Sequence, residues 1–64
     1  MVKIGTKIVV NYGADIPEEY GVVTDIKNDG FHVYAIIEGD DFTMTAHTIT
    51  ERPVNGSPIG VFTV

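Results

Sequence analysis

Short runs of β-branched and aromatic residues alternate with clusters of glycine, asparagine and aspartate along the chain. Within several runs every second residue is apolar, and the clearest example is the sequence FTMTAH at residues 42–47. A period of two is typical of a strand with one buried face. No stretch combines ten residues of helical period with strong helix formers, so the pattern predicts an all-β fold.

Five strands are expected, and they cover residues 6–12, 20–27, 31–37, 42–47 and 59–64. The clearest turn is Asn28-Asp29-Gly30, because an Asp-Gly pair tolerates the left-handed backbone of a tight hairpin. Residues 38–41 predict a second turn and residues 55–58 a third. Residues 48–53 predict a short helical turn that places Ile49 at one end of the core. Five short strands with tight turns favour a closed barrel, since closure removes exposed strand edges.

The chain has 64 residues and is expected to form a single domain over residues 1–64. It contains no cysteine, which excludes disulfides and thiolate metal sites. At this size the burial of apolar surface offsets the cost of ordering only narrowly, so tight packing or self-association is needed. Residues 58–64 carry no charge and have apolar side chains on both faces of a strand. This favours a homo-oligomer with Phe62 at or near the contact.

Nine acidic and four basic residues give a net charge of −5. Phosphate recognition depends on lysine and arginine, so nucleic acid and anionic membrane surfaces are disfavoured partners. A basic protein surface is the favoured partner, and the alternative is that the charge only maintains solubility. The first ten residues contain no long apolar run, and no later run approaches the roughly 18 residues of a membrane span. These features predict a cytoplasmic location.

The segments GTKIVV at residues 5–10 and GVVTDI at residues 21–26 resemble the SH3-like barrel superfamily, in particular its KOW-type members. The resemblance covers roughly residues 3–49. It implies a small five-stranded SH3-like barrel with a short helical turn before the last strand. Gly21 would lie where the second strand bends, with Val23 and Ile26 directed into the barrel. The three-residue step between those two side chains implies a β-bulge.

The family resemblance leaves three classes of function open. KOW modules that bind RNA or ribosomal surfaces carry basic residues in the loop before the second strand, whereas residues 13–19 here are acidic. Peptide-binding SH3 domains have an acidic loop there with tyrosines nearby, but they also present a tryptophan, and this chain has none. In MVK at residues 1–3, GTK at residues 5–7 and the later Gly21-x-Val23, the chain also resembles the small SH3-like subunit of photosystem I, an accessory protein without a cofactor. The preferred interpretation is a non-catalytic protein-binding or structural module. The alternatives are a nucleic-acid or ribosome-associated module and an accessory subunit of an enzyme or electron-transfer complex.

The acidic loop is the best candidate for a partner-binding site. Tyrosine rings beside carboxylates suit a basic or proline-containing segment. The alternative is a solvated loop over two tyrosines that only pack. Together with the expected oligomer contact, the predicted partner-binding residues are Tyr12, Asp15, Glu18, Glu19, Tyr20 and Phe62.

No arrangement of residues predicts catalysis, a cofactor or a metal. His32 and His47 fall on predicted strands and could share a face, but their spacing does not match a zinc site. The acidic turn at residues 38–41 lacks the spacing of an EF-hand. Ser57 is the only serine, and it precedes a proline in a predicted turn rather than lying beside a base. The chain is therefore not expected to be an enzyme.

Overall fold

The computed structural model describes residues 2–53 and 58–64 and confirms an all-β fold. One sheet contains six strands in the spatial order β4-β3-β2-β1-β6-β5. None of the described residues belongs to a helix long and apolar enough to cross a membrane. The strands are β1 (Lys7–Asn11), β2 (Glu19–Asn28), β3 (Val33–Gly39), β4 (Thr43–Ala46), β5 (Thr50–Glu51) and β6 (Gly60–Thr63).

β1 holds the two parts of the sheet together, because it pairs antiparallel with β2 on one side and with β6 on the other. In the second of these pairs Val9 lies opposite Phe62. The pairing continues past the strand ends, where the Val64 amide donates to the Lys7 carbonyl at 3.1 Å. The last strand is therefore paired within its own chain, against the first strand.

The predicted β-bulge in β2 is confirmed. Val23 lies opposite Ile37, but the next pair joins Asp25 to Ile36, so one extra residue of β2 has no counterpart in β3. The extra residue returns Ile26 to the side of Val23, opposite Ala35. The three-residue step in the sequence is the signature of this irregularity.

The main core lies on one face of the sheet and is formed by side chains from β1, β2, β3 and β4. Ile8, Val23 and Ile37 are completely buried there, and each contributes about 1.5–3 kcal/mol through removal of apolar surface from water. The alternation predicted for β3 and β4 is confirmed at Ala35, Ile37 and Ala46, which are buried, whereas Phe31 and Val33, expected on the same face, are exposed. The side chains that pack against this core from its margins are Val2, Phe42, Met44, Ile49 and Val61.

A second buried pair lies outside the main core and corrects the expectation for Phe62. Val9 is 0% exposed and Phe62 is 7% exposed, and their strands place them opposite each other. Side chains alternate along a strand, so these two residues occupy the face opposite Ile8 and Val61. The chain itself buries these two side chains, so a contact between copies is not needed to cover Phe62.

The predicted helical turn is wrong, and with it the strand count of five. Thr50–Glu51 forms a short strand that pairs parallel with β6, with Thr50 opposite Phe62. The run Thr48-Ile49-Thr50 is β-branched, which lowers helix propensity, and β6 offers an edge for it to pair with. Ile49 nevertheless packs against the core as expected. The turn predicted at residues 55–58 lies outside the described residues except for Pro58.

Side chains organise the turn between β2 and β3, and they shift the start of β3. The Gly30 amide donates to Asn28 Oδ1 at 2.9 Å. Asp29 Oδ1 accepts from the amides of Phe31 (3.0 Å) and His32 (2.7 Å). These bonds lower the pKa of Asp29, with the His32 amide as the larger cause. Because both amides are engaged inside the turn, β3 begins at Val33 rather than at Phe31 as predicted.

Gly30 has the expected left-handed backbone, with φ of 94°, and open space surrounds the position of a Cβ atom. Gly30→Ala should therefore lower the free energy of unfolding by about 1 kcal/mol, through backbone strain alone. Urea denaturation measures this change. A variant as stable as the parent would show that the turn relaxes without strain.

Candidate functional site

Two acidic segments that are distant in sequence meet around Tyr20. The β2–β3 pairing places Gly21 opposite Gly39, so Tyr20 and Asp40 follow as neighbours at the end of the hairpin. Here the surface forms a hollow of about 260 Å³. We call it the acidic hollow, and its lining residues are Glu18, Glu19, Tyr20, Asp40, Asp41 and Phe42.

The acidic hollow continues into a second depression of about 340 Å³, since both are lined by Tyr20 and Asp40. The second depression follows the paired backbones of β2 and β3 toward β1, where Lys7 borders it. We call it the glycine groove, and its lining residues are Lys7, Ile8, Tyr20, Gly21, Val22, Glu38, Gly39, Asp40 and Val64. Tyr20 and Asp40 are the residues at which the two depressions adjoin.

Glu18 is held in place by two partners. Arg52 forms a hydrogen-bonded ion pair with Glu18 Oε1, and the Tyr20 hydroxyl donates to Glu18 Oε2 at 3.0 Å. Arg52 is the main reason why the pKa of Glu18 is lowered, and Tyr20 adds to the effect. The pair joins the loop before β2 to the segment after β5. It also fixes the direction of the Tyr20 ring, which is 59% exposed.

Glu19 and Tyr12 form a second tyrosine–carboxylate pair beside the first. The Tyr12 hydroxyl donates to Glu19, and this hydrogen bond is the main reason why the pKa of Tyr12 is raised. Tyr12 is itself exposed. Four of the predicted binding residues, Tyr12, Glu18, Glu19 and Tyr20, are therefore linked in pairs.

The other two predicted residues do not line the acidic hollow. Asp15 is exposed in the loop but is not among the residues that surround the hollow. Phe62 is buried beside Val9, on the same face of the sheet as Tyr20, but it does not line the hollow. The negative charge of the hollow instead comes from the start of β2 and from the segment after β3, which meet at the open end of the hairpin.

The sequence pattern predicts only a turn at Asp40 and Asp41, and it does not predict that they lie in the acidic hollow. A signal for it exists in the sequence. Counting antiparallel pairs outward from the turn at residues 28–33, with one residue of slip for the bulge, brings Tyr20 opposite Asp40. In the part of the chain that the structure describes, neither aspartate has an ion-pair or side-chain hydrogen-bond partner.

His32 and His47 come together at the other end of the hairpin. Their ring centroids are 5.9 Å apart, and Tyr34 lies 5.5 Å from His47. His32 Nδ1 is 3.9 Å from Asp29 Oδ2, so one carboxylate borders the pair. No group of three or more His, Asp or Glu side chains among the described residues is arranged to hold a metal ion.

The chain has no match among protein-family models, curated proteins or solved structures. The resemblance to SH3-like and KOW-type barrels therefore stays a prediction from the residues that carry it. Functional inference rests on the geometry of the acidic hollow and the glycine groove.

Proposed function

We propose that this protein is a non-catalytic binding module that holds a basic, extended segment of a partner protein in the acidic hollow and the glycine groove. The observation that supports this most directly is the meeting of carboxylates from two separate loops around the exposed Tyr20 ring. A cytoplasmic location belongs to the same proposal.

The charge of the acidic hollow favours a cationic ligand. Four carboxylates line it, and Arg52 offsets only the charge of Glu18. Asp40 and Asp41 are adjacent like charges, so a lysine or arginine of the partner relieves their repulsion when it binds. The net charge of −5 extends this attraction beyond the hollow and speeds the encounter with a basic partner.

The two tyrosines supply the apolar contact that charge alone lacks. Tyr20 presents its ring to solvent while its hydroxyl is fixed by Glu18. A fixed ring loses little rotamer entropy when it is covered. An aromatic face beside carboxylates suits an arginine, whose guanidinium stacks on the ring and bonds to the carboxylate.

The arrangement of the two adjoining depressions favours an extended chain. The lining of the glycine groove reaches from Tyr20 and Asp40 to Lys7 and Val64. An extended or polyproline segment has a narrow cross-section and can contact both depressions at once. Lys7 at the far end favours an acidic residue or a neutral residue at that end of the segment.

The proposal can be tested with a fluorescein-labelled library of ten-residue peptides in which half of the positions are Arg, Lys or Pro. We expect binding by fluorescence anisotropy that weakens as NaCl rises from 50 to 300 mM, because exposed charges are screened. In ¹⁵N NMR titrations, the largest shift changes should occur at Tyr20, Gly21, Gly39 and Asp40. A library with Glu in place of Arg and Lys should not bind.

A matched pair of variants locates the charge effect. Asp40→Asn with Asp41→Asn should weaken peptide binding by roughly tenfold, since the lost carboxylates face the ligand directly. Asp15→Asn with Glu51→Gln removes the same total charge from exposed positions outside the hollow, and it should change affinity by less than about twofold. Equal weakening by both variants would contradict a local site and would leave only the net charge. Binding of labelled RNA in preference to the peptides would favour the KOW-type alternative.

A further inference from the structure

A separate groove lies at the other end of the β2–β3 hairpin, away from the acidic hollow. It has a volume of about 220 Å³ and contains no carboxylate in its lining. We call it the neutral groove, and its lining residues are Val2, Ile26, Val33, Tyr34, Ala35, Ala46, His47 and Ile49. Most of these side chains are apolar, so water in the groove is readily displaced by an apolar group.

Phe31 lies in the turn two residues before Val33, which lines this groove, and it is 91% exposed. It is the most exposed of the large hydrophobic residues that the structure describes. The Phe31 amide donates to Asp29 Oδ1 at 3.0 Å, which fixes the backbone of the turn at this position. The exposed Phe31 ring and the apolar groove are complementary, since an aromatic side chain can fill an apolar groove.

This end carries fewer acidic groups than the acidic hollow, since no carboxylate lines the neutral groove and four line the hollow. Lys27 Nζ lies 3.0 Å from Asp25 Oδ2 on the outer face of β2. Asp29 lies beside His32, and its carboxylate already accepts two backbone hydrogen bonds. Two copies of a chain with a net charge of −5 repel each other least when they meet at this end.

We propose that two copies of the chain associate about a two-fold axis at the neutral groove, with Phe31 of each copy inserted into the groove of the other. A two-fold axis makes both insertions at once from a single surface, which is how a self-complementary interface forms. The occupant is a second copy because each chain carries both the projecting ring and the groove that accepts it. This contact is independent of the proposed peptide site, which lies at the opposite end of the hairpin.

The buried area of the proposed contact determines the expected affinity of the dimer. Each inserted ring buries roughly 150–250 Å², and the surrounding surface is limited to one end of a small domain. The interface therefore falls below the roughly 1,200 Å² of a standard stable complex. We expect a reversible dimer with a dissociation constant of roughly 10 µM to 1 mM.

Sedimentation equilibrium between 10 µM and 1 mM tests the proposal. The parent should shift from monomer toward dimer with concentration, and Phe31→Ala should raise the dissociation constant at least about tenfold. Ile59→Ala is the matched control, because Ile59 is 74% exposed and does not line the neutral groove. This control should dimerise like the parent.

Concentration-dependent NMR shifts provide the second measurement. They should concentrate at Ile26, Val33, Tyr34 and His47, and they should be absent in Phe31→Ala. A parent that stays monomeric at 1 mM would overturn the proposal, and so would a dimer that Phe31→Ala leaves intact. Peptide binding at the acidic hollow should be unchanged in Phe31→Ala, so failure of one proposal is distinguishable from failure of the other.

Discussion

Phe62→Asp should leave the chain unfolded at 25 °C. The Phe62 ring is buried opposite Val9, so the variant loses most of the ring's burial and places a carboxylate where the chain excludes water. The combined cost is more than about 4 kcal/mol. A single small core rarely supplies more than roughly 3–5 kcal/mol of stability, so little or none remains.

Phe31→Asp is the matched control, because it makes the same chemical change at a side chain that is exposed. Circular dichroism at 5 µM should show a folded spectrum and a melting temperature close to that of the parent for Phe31→Asp. Phe62→Asp should show neither. A folded Phe62→Asp variant with a parental melting temperature would mean that the face of β1 carrying Val9 is open to solvent.

Gly21→Ala should be the second most damaging of these substitutions, although it adds a single methyl group. The new Cβ atom would lie 2.8 Å from Ile37 Cγ2 and 2.9 Å from the backbone oxygen of Glu38. The Ile37 side chain is completely buried and the oxygen belongs to β3, so neither can move without disturbing the sheet. We expect a loss of about 2–3 kcal/mol in the free energy of unfolding.

Comparison of Gly21→Ala with Gly30→Ala distinguishes two reasons why a position requires glycine, a close steric contact and a left-handed backbone. Open space surrounds Gly30, so that variant reports left-handed strain alone, whereas Gly21→Ala reports a steric clash. Urea denaturation of both variants should place Gly21→Ala clearly lower. Equal losses at the two positions would show that β3 moves aside at little cost.

Local sequence patterns predicted most features of β1 to β4. The features they did not predict, β5 and the burial of Phe62, depend on pairing between distant segments. The alternation around Ala35 and Ile37 correctly indicates the buried side of β3, and the step from Val23 to Ile26 correctly indicates the bulge, although Ile26 itself is exposed. Thr50–Glu51 is a strand because β6 lies beside it, and no property of two residues reveals such a neighbour. The same limit applies to Phe62, since its alternation shows a second apolar face but not what covers it.

The sequence predicted the part of the candidate site that comes from the loop before β2, but not the part that follows β3. Tyr12, Glu18, Glu19 and Tyr20 are close in sequence, so a loop between two strands brings them together without knowledge of the sheet. Asp40 and Asp41 join them only through the register of a hairpin whose turn lies about ten residues away. A bulge changes that register by one position, so its location must be known before the two acidic segments can be placed side by side.

The position of β1 between β2 and β6 also determines how the chain reaches its native state. Hairpin β2–β3 joins residues that are close in sequence, whereas Val9 and Phe62 are about fifty residues apart. Because closing so long a loop is entropically slow, we expect β2 and β3 to pair before β6 docks against β1. Before β6 docks, β1 would present unpaired amides and carbonyls beside an uncovered Val9. We therefore expect aggregation during refolding to depend on how fast β6 docks rather than on the stability of the finished sheet.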